Sequence, residues 1–128
     1  MRYVHYNPNP DGRTVDDCTI RAISRVFDLH WQTAFWELAH KAFDMSDIQI
    51  SNAVFLAYLK ERGFKPRTLP DRCPECYTVD QFAYDHPYGT YIVATGTHVV
   101  AVVDGQYYDS WDSGREIPTY YFEREDER

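Results

Sequence analysis

The stretch His98-Val99-Val100-Ala101-Val102-Val103-Asp104-Gly105-Gln106-Tyr107-Tyr108-Asp109-Ser110-Trp111 carries the reading of the fold. Two runs of β-branched and aromatic residues flank an Asp-Gly pair, the strongest short-range signal for a hairpin with a two-residue type I′ turn. Such a turn sets Val103 opposite Gln106, Val100 opposite Asp109 and His98 opposite Trp111. Side chains alternate between faces, so His98, Val100, Tyr107, Asp109 and Trp111 share one face and Asp112 points the other way. Asp109 is then diagonal to His98, roughly 7–8 Å away at the Cα atoms, within reach of an imidazole N–H. A three-residue turn would shift the register by one and select Asp112 instead.

Around this hairpin, Tyr91–Thr95 and Thr119–Phe122 complete a set of four expected strands with Thr97–Val103 and Gln106–Trp111. The first half of the chain changes period. Ile20, Ile23, Val26 and Phe27 recur at helical spacing, and Thr14 with Asp17 imitates a capping box, which predicts a helix from about Val15 to Phe27. Trp31–Phe43 and Asn52–Arg62, the latter capped by Ser51 and stopped by Gly63, predict two more. Prolines at 66, 70 and 74 predict an extended loop from Phe64 to Cys76, followed by a short helix Val79–Asp85 capped by Thr78. Helices first and an antiparallel meander after them make an α+β domain, with N-terminal helices packed on a C-terminal antiparallel sheet. Asn7-Pro8-Asn9-Pro10-Asp11-Gly12 reads as an irregular loop, and the charge run Glu123–Arg128 as a fraying end.

A chain of 128 residues fits one domain, residues 1–128. Its net charge of −7 disfavours nucleic acid and anionic membranes as ligands. The longest apolar run, Val99–Val103, is far short of the ~20 residues of a membrane span. The start MRYVHYNPNPDGR shows no signal-peptide core, so a cytoplasmic protein is expected. Three cysteines are too few for a disulfide framework and point to a reducing compartment with a free thiol.

Cys18 falls in the first turn of a predicted helix, where unpaired N–H groups and the helix dipole favour a thiolate. Asp16 and Asp17 would oppose this if they faced it. A thiolate nucleophile needs a base, and a base needs an orienting group. His5, His30, His40 and His86 fit surface or capping roles, whereas His98 opens an apolar strand and requires a polar partner. Phe35, Trp36, Phe55, Tyr58 and Phe82, at helical spacing, read as core or groove wall.

The block from His98 through Val103, followed by Asp109-Ser110-Trp111 and preceded in the chain by Cys18, resembles the His strand and Asn-Ser-Trp element of papain-like cysteine peptidases. The chain resembles a small bacterial or phage member of that family. The resemblance implies a papain-like fold, with Cys18 as nucleophile, His98 as base, Asp109 as the group that orients the imidazole and Trp111 as its shield from water. An aspartate in the third position also occurs in bacteriocin-processing relatives. The family's usual oxyanion Gln has no counterpart, since Gly12 stands at that position; Asn7 or Asn9 could reach in from the loop. The implied activity is hydrolysis of a peptide, isopeptide or related amide in a peptide or protein substrate, through an acyl-enzyme and without cofactor. A transglutaminase-type transferase uses the same residue order. A catalytically silent binding or inhibitory protein, with its acidic surface on a basic protein partner, is the alternative.

Cys73-Pro74-Glu75-Cys76 has the spacing of a zinc or redox pair. Zinc needs four ligands, and only His86 is near in sequence, so no metal site is expected and the segment reads as a loop with two thiols.

Overall fold

The computed structural model describes residues 1–125 and shows a mixed α+β fold of four helices and a six-stranded sheet. In chain order the elements are β1 (Tyr3–His5), α1 (Cys18–Phe27), α2 (Trp31–Asp44), α3 (Asn52–Glu61), β2 (Phe64–Thr68), α4 (Val79–Asp85), β3 (Thr90–Ala94), β4 (Val99–Val103), β5 (Gln106–Asp109) and β6 (Tyr120–Arg124). The strand order is β1-β5-β4-β3-β6-β2.

The turn between β4 and β5 has the expected two residues. Asp104 and Gly105 both take positive φ, 49° and 80°, as a type I′ turn requires, and Val103 pairs with Gln106, Val102 with Tyr107 and Ala101 with Tyr108. Gly105 also presses on the chain, because a Cβ there would lie 3.2 Å from Pro87 Cα. Alternation along β4 divides the core. Val99 and Ala101 join Ile20, Ile23, Leu38 and Phe55 beneath α1–α3, while Val100 and Val102 join Val79, Phe82 and Tyr107 beneath α4. Both faces of the sheet are thus covered, which explains why β4 is apolar throughout.

Several expectations change. The sheet is not purely antiparallel, because β1 from the chain start pairs in parallel with β5, His5 opposite Asp109. Phe64–Thr68 is a strand rather than a loop: it lies at the sheet's edge against β6 alone, where a proline such as Pro66 is tolerated because a strand with one neighbour has N–H groups that face away from any partner. Glu123 and Arg124 belong to β6 rather than to a fraying end, Glu125 N–H donates to Gly63 O at 3.0 Å, and residues 126–128 of that expectation lie outside the described residues. The Thr14–Asp17 capping box does not form. α1 begins at Cys18, and Asp17 holds the N-cap position with no side-chain cap. α2 follows His30 with no side-chain cap, whereas α3 and α4 start on capping side chains, Ser51 accepting from Ala53 N at 3.1 Å and Thr78 from Gln81 N at 3.2 Å. α1 ends where Asp28 turns left-handed (φ 55°) and Leu29 N–H bonds back to Ser24 O. Among the described residues no helix is long and apolar enough to cross a membrane.

Candidate active site

α1 packs against β4, and this places its first residue, Cys18, beside the turn that enters the strand. That turn is tight. Gly96 takes φ 104°, His98 N–H donates to Thr95 Oγ1 at 3.1 Å, and Thr95 N–H donates to His98 O at 2.9 Å. His98 therefore precedes β4 rather than opening it, and its ring is fixed by the backbone beneath it.

Asp109, at the end of β5, is fully buried, and its carboxylate accepts four hydrogen bonds. Oδ2 receives His98 Nε2 at 2.7 Å and Ser113 Oγ at 2.6 Å; Oδ1 receives Arg21 Nη2 at 2.9 Å and Ser110 N at 2.8 Å. With Nε2 committed to Asp109, Nδ1 is the ring nitrogen left to serve Cys18, which lines the same cleft. The Trp111 ring lies against His98, 5.2 Å between centroids, and is itself 46% exposed. Asp112 points elsewhere, accepting from Tyr107 Oη at 2.6 Å and Gly114 N at 3.0 Å.

Electrostatics follow from these contacts. Burial pushes the Cys18 thiol up, but hydrogen bonds from His98 and the Val99 amide, with the positive charges of His98 and Arg21, outweigh it and hold the thiol below its ordinary value. Burial likewise pushes His98 down, yet its hydrogen bonds to Asp109 and Cys18 and their negative charges raise it to about 9. Asp109 is pushed up by burial and brought below the usual carboxylate range by the bonds from His98 and Ser113 and the charges of His98 and Arg21. The combination favours a thiolate–imidazolium pair.

Behind this pair lies a buried network unforeseen from the sequence. Arg21, 5% exposed, spans two carboxylates, donating through Nη1 to Asp17 and through Nη2 to Asp109. The other oxygen of Asp17 accepts from Trp31 Nε1 at 2.8 Å. Asp17 is thereby turned away from capping α1 and from opposing the thiolate. The i, i+4 spacing of Asp17 and Arg21 was the available signal; nothing local pointed to Ser113 or Trp31.

Asn7 and Asn9 do not join the site. Asn7 Nδ2 donates to Arg13 O at 3.2 Å, and Asn9 Oδ1 accepts from Asp11 N and Arg13 N, so both amides brace the loop that carries them. The amide side chain in the wall of the cleft over Cys18 is Asn52, at the start of α3. Cys73 and Cys76 are joined in a disulfide rather than standing as two thiols, because the turn between them brings their Cα atoms within 4.1 Å. Cys18 is the free cysteine, and the cysteine count no longer argues for a reducing compartment. Among the described residues no group of three or more His, Cys, Asp or Glu side chains is placed to hold a metal ion.

No family model matches the chain, and neither the curated proteins nor the solved structures contain a match to it.

The two titrating partners oppose each other in stability. The raised His98 stabilises the fold fully below about pH 6.5 and loses this as pH rises towards about 9, whereas the lowered Cys18 thiol stabilises it increasingly as pH rises to its unfolded value of about 8.5, so the pair has a weaker pH dependence than either group alone. In Cys18→Ser the raised His98 stands alone. Its stabilisation is full below about pH 6.5 and fades as pH rises towards its folded value, which is below about 9 once the Cys18 contribution is gone. Chemical denaturation of Cys18→Ser at a series of pH values should show stability falling over that window, against a flatter profile for the unsubstituted protein.

Proposed function

We propose that the protein is a thiol hydrolase with a papain-like arrangement, acting on a peptide, isopeptide or related amide through Cys18, His98 and Asp109. The observation that carries this reading is the His98 imidazole held on one nitrogen by a buried carboxylate at 2.7 Å, in the wall of the cleft that Cys18 also lines. The Cys18 thiolate attacks the carbonyl carbon. The N–H groups of the first turn of α1, uncapped because Asp17 is bound to Arg21 and Trp31, suit the resulting oxyanion. Imidazolium His98 gives its proton to the leaving amine as the C–N bond breaks, leaving a thioester and neutral His98. Water then loses a proton to His98 as it attacks the thioester, and the acid leaves with Cys18 again a thiolate beside imidazolium. An amine in place of water gives the transferase outcome. A silent binding module keeps the same fold without turnover, and the lack of the usual oxyanion Gln favours that second reading.

A peptide vinyl sulfone tests the proposal: stoichiometric labelling confined to Cys18 is expected, and slow labelling no faster than that of a model thiol would overturn it. Substitutions of the two aspartates sharpen the test. Asp109 is a buried hub rather than a polar group at a strand edge, so Asp109→Ala is expected to cost folding, and Asp109→Asn is the informative variant. It keeps an acceptor for the imidazole and loses the charge, and should slow labelling near pH 6 by about tenfold. Asp112→Asn should change labelling by less than about twofold, because Asp112 serves Tyr107 and Gly114. Trp111→Ala should fall between, by admitting water to the His98–Asp109 bond.

A further inference from the structure

The cleft over Cys18 has a volume of about 480 Å³, room for a few substrate residues' side chains and backbone. Its charged groups are nearly all spent on one another: Asp17 and Arg21 form an ion pair, and His98 is bound to Asp109. One charge remains. Asp16, two residues before the nucleophile, lines the cleft, is exposed, and among the described residues makes no hydrogen bond or ion pair. The apolar part of the wall includes Val15, Ile50, Trp111 and Tyr120, with Ile50 64% and Trp111 46% exposed.

A partnerless carboxylate beside aliphatic and aromatic surface is the chemistry that holds a Lys or Arg side chain. The methylene stem covers apolar surface, the cationic head meets the carboxylate, and an aromatic face adds attraction for the cation. The same carboxylate repels acidic substrates, and the net charge of −7 acts in the same sense at longer range. Resting on the thiol-hydrolase reading above, we infer that the cleft selects peptides carrying a cationic side chain near the bond attacked, and that Asp16 is the residue that reads it.

Vinyl sulfone peptides differing only in having Arg, norleucine or Glu test this, the varied residue being placed first or second from the electrophile. At one of these positions the Arg probe should label Cys18 at least about fivefold more efficiently than the norleucine probe, with the Glu probe slowest, and the gain should lie in the binding constant rather than in the limiting rate. Asp16→Asn should erase the difference between Arg and norleucine, and Asp16→Lys should turn the preference towards Glu. Asp16 is exposed and partnerless, so neither change removes a contact that holds the fold. Equal labelling by all three probes, or an Arg preference that survives in Asp16→Asn, would overturn the inference. Iodoacetamide, small and uncharged, separates this from the underlying reading. If it modifies Cys18 readily near pH 6 while the peptide probes are equal, the dyad stands and the substrate inference falls; if Cys18 reacts with it like an ordinary thiol, the hydrolase reading itself fails.

Discussion

Replacing His98 by Ala should slow iodoacetamide modification of Cys18 near pH 6 by on the order of a hundredfold. A model thiol with pKa about 8.5 is ionised in roughly one molecule in 300 at that pH. In the unsubstituted protein the thiol lies below its ordinary value because His98, the Val99 amide and Arg21 together overcome the burial that would raise it. Removing the imidazole deletes both a hydrogen bond and the nearest positive charge, and leaves burial to push the thiol up. The advantage is trimmed because a thiolate of low pKa is intrinsically less nucleophilic. Asp109 retains Arg21, Ser113 and Ser110 as donors in this variant, so the effect belongs to the dyad rather than to a collapsed fold. The profiles have different upper limbs. Alkylation needs only thiolate and should not fall as pH rises towards 9, whereas turnover needs imidazolium as proton donor and should fall there, where His98 loses its proton. Rates at a series of pH values, with mass spectrometry assigning the modified cysteine, give the measurement. A Cys18 that titrates like a model thiol in the unsubstituted protein would end the dyad argument.

Arg21→Met should destabilise the fold by about 3–5 kcal/mol. Arg21 is the positive charge between two buried carboxylates, Asp17 and Asp109, each at most 3% exposed. Methionine fills much of the same volume but leaves both carboxylates without their counter-charge, and removing one partner of a buried pair costs far more than the pair contributes as a whole. Against a typical domain stability of 5–15 kcal/mol, the variant should unfold roughly 10–20 °C lower. Arg21 is among the charges that hold Asp109 below the usual carboxylate range, so its loss raises the folded-state value of that carboxyl group, and the destabilisation should be largest near neutral pH and shrink as pH falls and Asp109 takes up a proton. Arg21→Lys should recover only part of the loss, because a point ammonium lacks the two-pronged reach by which Nη1 and Nη2 serve different acceptors. Calorimetric scans at neutral and mildly acidic pH distinguish these outcomes. A melting temperature within a few degrees of the unsubstituted protein at both would show that the network contributes little.

Much of what depends on neighbours in the chain was legible in the sequence, although the Thr14–Asp17 capping box and the pairing of Cys73 with Cys76 were misread. Helical spacing located α1–α4 to within a few residues, and the Asp104-Gly105 pair set the β4–β5 register through the local chirality of a type I′ turn. Cys18 could be placed at a helix start, and Asp109 preferred to Asp112, on that local logic alone. Long-range contacts were out of its reach. The parallel β1–β5 pair and the edge position of β2 join segments distant in sequence, and neither carries a local signature, since Tyr3–His5 is short and Phe64–Thr68 contains a proline. The depth of Asp109 was underestimated for the same reason: it lies at the end of its strand, and only the docking of α1 across the sheet brings Arg21, 88 residues earlier, onto its second oxygen. Strand and helix periods say which face of an element is apolar. They do not say which polar groups meet when two such faces close over a site, because that depends on how the elements pack across the whole domain.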